Sequence, residues 1–136
     1  MTATLWLRIS AGSALLFAAG HTLGGLKYWS PMGDSPVLQS MRSLRFDTMG
    51  ANRSYFDFFM GFGHSISVLQ VMEAILLWQL ATLARSNALS VRPMIAVIAL
   101  ATAACGVIAW RFIFPVPAIF SLVLVLTLSV AYVVAN

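Results

Sequence analysis

The chain has 136 residues, of which 60% are hydrophobic and only 9% are charged. A soluble globule of this length needs more polar side chains to cover its surface, so the composition excludes an ordinary soluble domain and predicts an integral membrane protein. The net charge of +4 comes from basic residues scattered along the chain, which is typical of topology signals and headgroup contacts and excludes a nucleic-acid-binding patch.

The first predicted span covers residues 5–26, an apolar segment long enough to cross a bilayer. A polar segment, residues 27–54, follows it. Within this segment, Pro36–Met49 repeats apolar residues at near-helical spacing, which predicts a short amphipathic helix at the membrane interface. Asp34 or Ser35 is expected to cap this helix.

Three further spans are predicted over residues 55–84, 92–111 and 114–135. The turns between them are short. Four spans joined in this way predict an all-α fold, a four-helix transmembrane bundle with up-down-up-down topology, in which residues 1–136 form a single transmembrane domain.

Two features inside the predicted spans point to helix packing. Gly20 and Gly24 are four residues apart, which predicts the close approach of another helix. Glu73 is the one formal charge between Phe58 and Ala84, and Gln70 lies one turn before it. Glu73 is expected either to hydrogen-bond another helix or a second subunit, or to serve as a proton or ligand site.

Most of the polar side chains that could carry chemistry are predicted to collect at the end of the bundle that holds the long loop. The helical rise places His21 and His64 at similar depth, and Asp57 lies on nearly the same helix face as His64. Ionisable groups inside a bilayer usually face a bundle interior or a wet cavity, so this rim is the predicted site. The candidate catalytic residues are His21, Asp57 and Arg53; the candidate ligand-binding residues are His64, Tyr55, Trp29, Trp110, Arg111, Arg45 and Asp47.

These residues also have structural interpretations. Arg53 and Asp57, at positions i and i+4, predict a salt bridge at the start of the second span. Either histidine can donate a hydrogen bond to a backbone carbonyl and do no more. The sequence predicts no metal cluster, and His21 and His64 are candidate axial ligands only if haem b is bound.

Three segments, "GHTLGG", "RFDTMGANRSYFDFFMGFGHS" and "LLWQLATLAR", resemble a widespread group of small four-helix bacterial integral membrane proteins that have no assigned activity. The resemblance spans most of the chain and implies a multi-pass protein of the bacterial inner (plasma) membrane. The four-span layout is also similar, at the level of the fold alone, to DoxX-like proteins and to haem-containing membrane epoxide isomerases. The motif positions that the main resemblance covers are His21, Arg45, Asp47, Arg53, Tyr55 and Asp57.

Three functions from different classes are expected. The first is binding of a lipophilic small molecule at the rim, or its isomerisation or cyclisation with His21 and Asp57 as acid and base and Arg53 tuning Asp57. The second is haem binding. The third is a non-catalytic accessory or assembly subunit that binds another membrane protein or a second copy of itself. The count of basic residues, three on one side of the membrane against five on the other, slightly favours a cytoplasmic long loop.

Overall fold

The computed structural model describes residues 2–27, 30 and 32–136, without the side chains of residues 25–27. Four of its helices are long and apolar enough to cross a membrane. The predicted all-α bundle is therefore confirmed, and the chain is a multi-pass membrane protein. Its elements are α1 (Ala3–Lys27), α2 (Pro36–Ser43), β1 (Arg45–Thr48), β2 (Ala51–Ser54), α3 (Tyr55–Leu83), a 3-10 turn (Leu89–Val91), α4 (Arg92–Phe112) and α5 (Pro115–Val133).

The described chain divides into two compact units, and the division falls inside α1 and α3. The helical unit contains α1 up to Phe17 together with Gln70–Asn136. The hairpin unit contains Ala18–Leu69, and therefore the end of α1, α2, both strands and the start of α3.

The helical unit is held together by a core of aliphatic side chains. Leu7, Leu77, Ile95 and Leu128 come from its four helices, and each is fully buried. Alanines at many neighbouring positions bring the helices close together, which is the usual basis of packing between membrane helices. A hydroxyl pair adds to this packing, because Ser10 Oγ donates to Thr127 Oγ1 at 2.8 Å.

Among the described glycines, Gly106 marks the closest approach of two helices, at a position that the sequence does not single out. A Cβ built on Gly106 of α4 would lie 2.9 Å from Ser121 Cβ of α5, so only glycine fits there without movement. At Gly20 and Gly24, where close approach is predicted, no atom of the described residues comes within 4 Å of such a Cβ.

In the hairpin unit, α2 begins as predicted. Leu38 N donates to Ser35 Oγ at 3.3 Å, and Pro36 occupies the first turn. A serine oxygen at this position satisfies a backbone N–H that the helix itself leaves without a partner.

The predicted extent of this helix is wrong, because α2 ends at Ser43 and a hairpin follows it. The strands pair in register from Arg45 opposite Ser54 to Thr48 opposite Ala51. Burial along β1 alternates from residue to residue, as a strand requires. The two residues of the turn, Met49 and Gly50, have φ of +48° and +81°, and positive φ at both positions is the signature of a type I′ hairpin turn.

Candidate functional site

Asp57 caps the start of α3. Its carboxylate oxygen Oδ2 accepts from Ser54 N at 2.8 Å, and Asp57 N donates to Ser54 Oγ at 3.1 Å. This reciprocal pair is a capping box, in which each side chain satisfies a backbone N–H of the other residue. The S-x-x-D pattern in "SYFD", residues 54–57, is the sequence signal for it. Asp57 is thereby fixed where the positive end of the helix dipole favours a carboxylate.

Arg45 joins the hairpin to this capped helix end. Its Nη2 lies 3.9 Å from Asp57 Oδ2 and also donates to the Asn52 carbonyl oxygen at 3.1 Å. Its Nε donates to the Asn52 side-chain oxygen, and Asn52 Nδ2 in turn donates to Asp47 Oδ1 at 2.8 Å. We call Arg45, Asp47, Asn52 and Asp57 the hairpin network. Its side chains are exposed, so it orients the strands more than it stabilises the fold.

The salt bridge predicted between Arg53 and Asp57 is not the one that forms. Arg53 lies on β2, before the helix begins, so the helical i to i+4 geometry does not exist there. Its Nη1 donates instead to the Asn52 carbonyl oxygen at 2.9 Å. Among the described residues, Arg45 forms the ion pair with Asp57, because it approaches the helix end from the opposite strand.

Aromatic rings line the same end of α3. The ring centroids of Phe46 and Tyr55 are 4.9 Å apart, those of Phe46 and Phe58 are 5.5 Å apart, and those of Phe58 and Phe62 are 6.3 Å apart. Arg42 of α2 stacks over Phe56, with its guanidinium carbon 4.9 Å from the ring centroid. These contacts give Tyr55 a packing role between the hairpin and α3.

His21 joins α1 to α3 within the hairpin unit. Its Nδ1 lies 3.0 Å from Ser67 Oγ, and Ser67 Oγ donates to the Gly63 carbonyl oxygen at 3.4 Å. The tautomer of the imidazole sets whether Nδ1 of His21 donates to the serine oxygen or accepts from the serine hydroxyl. Ser67, a residue that the sequence does not single out, is therefore a hydrogen-bond partner of His21.

His64 is held differently and is exposed on the surface of α3. Its Nδ1 lies 2.7 Å from the Met60 carbonyl oxygen, and since a carbonyl only accepts, Nδ1 carries the hydrogen. The lone pair of the neutral ring is then on Nε2. Among the described residues nothing bonds to Nε2, and His64 lies close enough to His21 for an electrostatic interaction.

Three predicted site residues are not among the residues described above. Trp29 falls outside the described residues. Trp110 and Arg111 belong to the end of α4 in the helical unit, where Trp110 is 72% exposed and Arg111 stacks on the neighbouring Phe112 at 5.2 Å. The structure thus gathers Arg45, Asp47, Arg53, Tyr55 and Asp57 around the hairpin and the start of α3.

The chemistry that this arrangement offers centres on one imidazole nitrogen. His64 Nε2 can accept a hydrogen bond or bind a metal ion. No group of three or more metal-ligating side chains occurs within the part of the chain that the structure describes. The catalytic roles of His21, Asp57 and Arg53 stay predictions. Comparisons of the chain with protein-family models, with curated proteins and with solved structures gave no match.

Proposed function

We propose that this protein binds a lipophilic small molecule from the bilayer at His64. The observation that supports this proposal is the position of the His64 imidazole and the state of its Nε2 atom. It is exposed about 13 Å along α3 from Tyr55, by the rise of about 1.5 Å per residue, and its Nε2 has no hydrogen-bond partner among the described residues. A polar group that faces lipid without a partner costs free energy, and a ligand that supplies the partner removes that cost.

The protonation of the ring defines the chemical class of the ligand. Since Nδ1 carries the hydrogen, Nε2 offers a lone pair, and the ligand must present a hydrogen-bond donor such as a hydroxyl group or a carboxylic acid. Gly61 and Gly63 precede His64 on α3, and beyond the adjoining turns of the helix no described atom lies within 4 Å of a Cβ built at either position. The exposed rings of Phe58 and Phe62 supply apolar contact area nearby. A small amphiphile with a polar head and an apolar body fits these features.

Haem binding is a second candidate, and the same hydrogen bond favours it. A histidine that ligates a metal commonly donates its other ring N–H to a backbone carbonyl, which fixes the tautomer and the ring orientation. His64 has this arrangement with Met60. If haem is bound, His64 and His21 would hold it, and the haem would supply redox or ligand-exchange chemistry.

The hairpin network supports a positioning role for the remaining polar residues. Asp57 is occupied by the helix cap and by Arg45, and Asp47 by Asn52. These contacts fix the strands above α3, next to the segment that carries His64. We infer that Asp57 and Arg45 position the hairpin and take no part in a reaction.

We propose a bacterial plasma membrane as the location, with the long loop, residues 27–54, on the cytoplasmic side. The family resemblance supports the first statement and the excess of basic residues supports the second. A cysteine introduced at Met49, the fully exposed turn residue, in a Cys105→Ala background tests the orientation. A membrane-impermeant thiol reagent is expected to label it in inverted vesicles and to leave it unlabelled in intact cells, and the reverse pattern would contradict the proposal.

The experiment for ligand binding compares His64→Ala with Ser65→Ala. Both residues are exposed neighbours on α3, and among the described residues each side chain hydrogen-bonds to a carbonyl oxygen of its own helix. Each protein is extracted directly from cell membranes into lipid nanodiscs and examined by native mass spectrometry and absorption spectroscopy.

We expect the wild-type protein and Ser65→Ala to retain a small-molecule mass that His64→Ala loses. A Soret band that disappears in the same variant would assign the mass to haem. A wild-type protein without any retained mass would contradict ligand binding and direct the search to a protein partner, as expected for an assembly subunit.

A further inference from the structure

A second polar cluster lies inside the helical unit. Thr102 Oγ1 of α4 donates to Glu73 Oε1 of α3 at 3.0 Å, which is the bond between helices that the sequence predicts for Glu73. Glu73 is half-buried, and Thr102 is buried. Glu73 lies ten residues before the end of α3 at Leu83, or about 15 Å along the axis. That distance places it near the middle of a hydrocarbon core about 30 Å thick.

Among the described residues, no cation pairs with the Glu73 carboxyl. The only ion pair in the described part of the chain is the one between Arg45 and Asp57. In the helical unit, Arg8 of α1 stacks on Trp78 at 4.9 Å, and Arg92 of α4 stacks on Tyr132 of α5 at 4.2 Å. The other charged or titratable side chains of this unit are Arg85 after α3, and Cys105 and Arg111 on α4.

An isolated carboxylate in apolar surroundings is so costly that such groups take up a proton instead. Thr102 supplies one hydrogen bond, but a single neutral donor does not replace the hydration of a charge. The burial of Glu73 among apolar helices therefore favours its neutral, protonated form.

Gln70 gives independent geometric support. Its side-chain oxygen Oε1 is buried and has no hydrogen-bond partner among the described residues. Gln70 lies one helical turn before Glu73. A buried acceptor without a donor costs about 1–3 kcal/mol. Since Thr102 already donates to Oε1 of Glu73, a proton on Oε2 would provide the missing donor for Gln70. One proton thus removes both an uncompensated charge and an unsatisfied oxygen.

We propose that Glu73 is a proton-binding site within the membrane, which carries its proton at neutral pH and donates it to Gln70 Oε1. This proposal does not depend on ligand binding at His64. The site binds a proton. The proposal therefore predicts that Glu73 reacts as a neutral carboxylic acid that a reagent can reach from the lipid.

Dicyclohexylcarbodiimide is an apolar reagent that reacts with protonated carboxyl groups. In this reaction the acid proton moves to a carbodiimide nitrogen, and the carboxylate oxygen bonds to the central carbon. The acyl group then migrates from oxygen to nitrogen to give a stable N-acylurea. Nothing leaves, so the labelled protein gains the full mass of the reagent.

The experiment treats the full chain in lipid nanodiscs with dicyclohexylcarbodiimide at neutral pH and locates the label by peptide mass spectrometry. We expect a single addition at Glu73 in the wild-type protein and none in Glu73→Gln, whose amide preserves the hydrogen bond to Gln70. The aspartates Asp34, Asp47 and Asp57, outside the apolar core, are internal controls and are expected to remain unlabelled. Absence of label on Glu73 would overturn the proposal, as would labelling confined to the aspartates.

Infrared spectroscopy provides a second test that needs no reagent. Glu73 is the only glutamate in the chain, so glutamate labelled with carbon-13 at the side-chain carboxyl reports on this residue alone. We expect a carboxylic acid C=O band at neutral pH, and a shift of that band to higher frequency in Gln70→Leu, which removes the acceptor. Carboxylate bands without an acid band would overturn the proposal.

Discussion

The substitution Gly106→Ala is predicted to force α4 and α5 apart. The new Cβ would lie 2.9 Å from Ser121 Cβ, whereas two carbon atoms in contact prefer about 3.5–4.0 Å. The helices must therefore separate by roughly 0.6–1 Å at this point. Rotation of the Ser121 side chain cannot relieve the contact, because a Cβ is fixed to its backbone.

The expected loss of stability in Gly106→Ala is the difference between two opposing effects. Overpacking of a well-packed contact costs about 1–3 kcal/mol, while the higher helix propensity of alanine returns up to about 1 kcal/mol. Gly12→Ala on α1 isolates the second effect, because no described atom lies within 4 Å of its new Cβ. We therefore expect Gly106→Ala to be less stable than Gly12→Ala by about 1–3 kcal/mol.

The assay is unfolding by sodium dodecyl sulfate in mixed micelles, followed by circular dichroism. The double variant Gly106→Ala/Ser121→Gly removes the opposing Cβ, and we expect it to recover most of the lost stability, which a double-mutant cycle would measure as coupling. Equal stability of Gly106→Ala and Gly12→Ala would refute the close packing of α4 on α5, and so would a double variant without coupling.

Two further predictions concern the hairpin unit. Ser54→Ala removes the N-cap of α3 and is expected to cost about 1 kcal/mol, seen as faster amide hydrogen exchange in the first turn of α3; unchanged exchange there would contradict the capping box. Met49→Asn creates the Asn-Gly pair that type I′ turns prefer. It is expected to slow exchange across Arg45–Ser54 by relieving part of the roughly 1–2 kcal/mol that a left-handed non-glycine residue costs, and faster exchange would refute the turn assignment.

The four long helices could be predicted from the sequence because each is an apolar run of membrane-spanning length with polar residues at its ends. The hairpin could not. The apolar residues between Val37 and Met49 fit a helical spacing and also the alternation of a strand, and Met49-Gly50 is a weaker turn signal than Asn-Gly. The positive φ of Met49 is imposed by the pairing of the strands, which local sequence does not encode.

The positions of the polar residues in the candidate site could be predicted from the sequence, but their partners could not. Residue spacing identified the polar positions along α3, but the partner of each side chain depends on how the helices are rotated about their axes. This rotation decides that His21 meets Ser67 and that Glu73 meets Thr102. The start of α3 fails for another reason. The helix begins at Tyr55, as the predicted span does, but Arg53 lies on the strand before it, and Asp57 forms its ion pair with Arg45.

The most direct test of the central claim, a ligand on His64 Nε2, is nitrogen-15 NMR of the protein labelled at histidine and kept in lipid from its own membrane. With only two histidines, His21→Ala and His64→Ala assign every signal. We predict that His64 carries its hydrogen on Nδ1, and that its Nε2 signal moves to the position of a lone pair without a partner when bound small molecules are extracted. A hydrogen on Nε2, or an Nε2 signal that extraction leaves unchanged, would contradict the account.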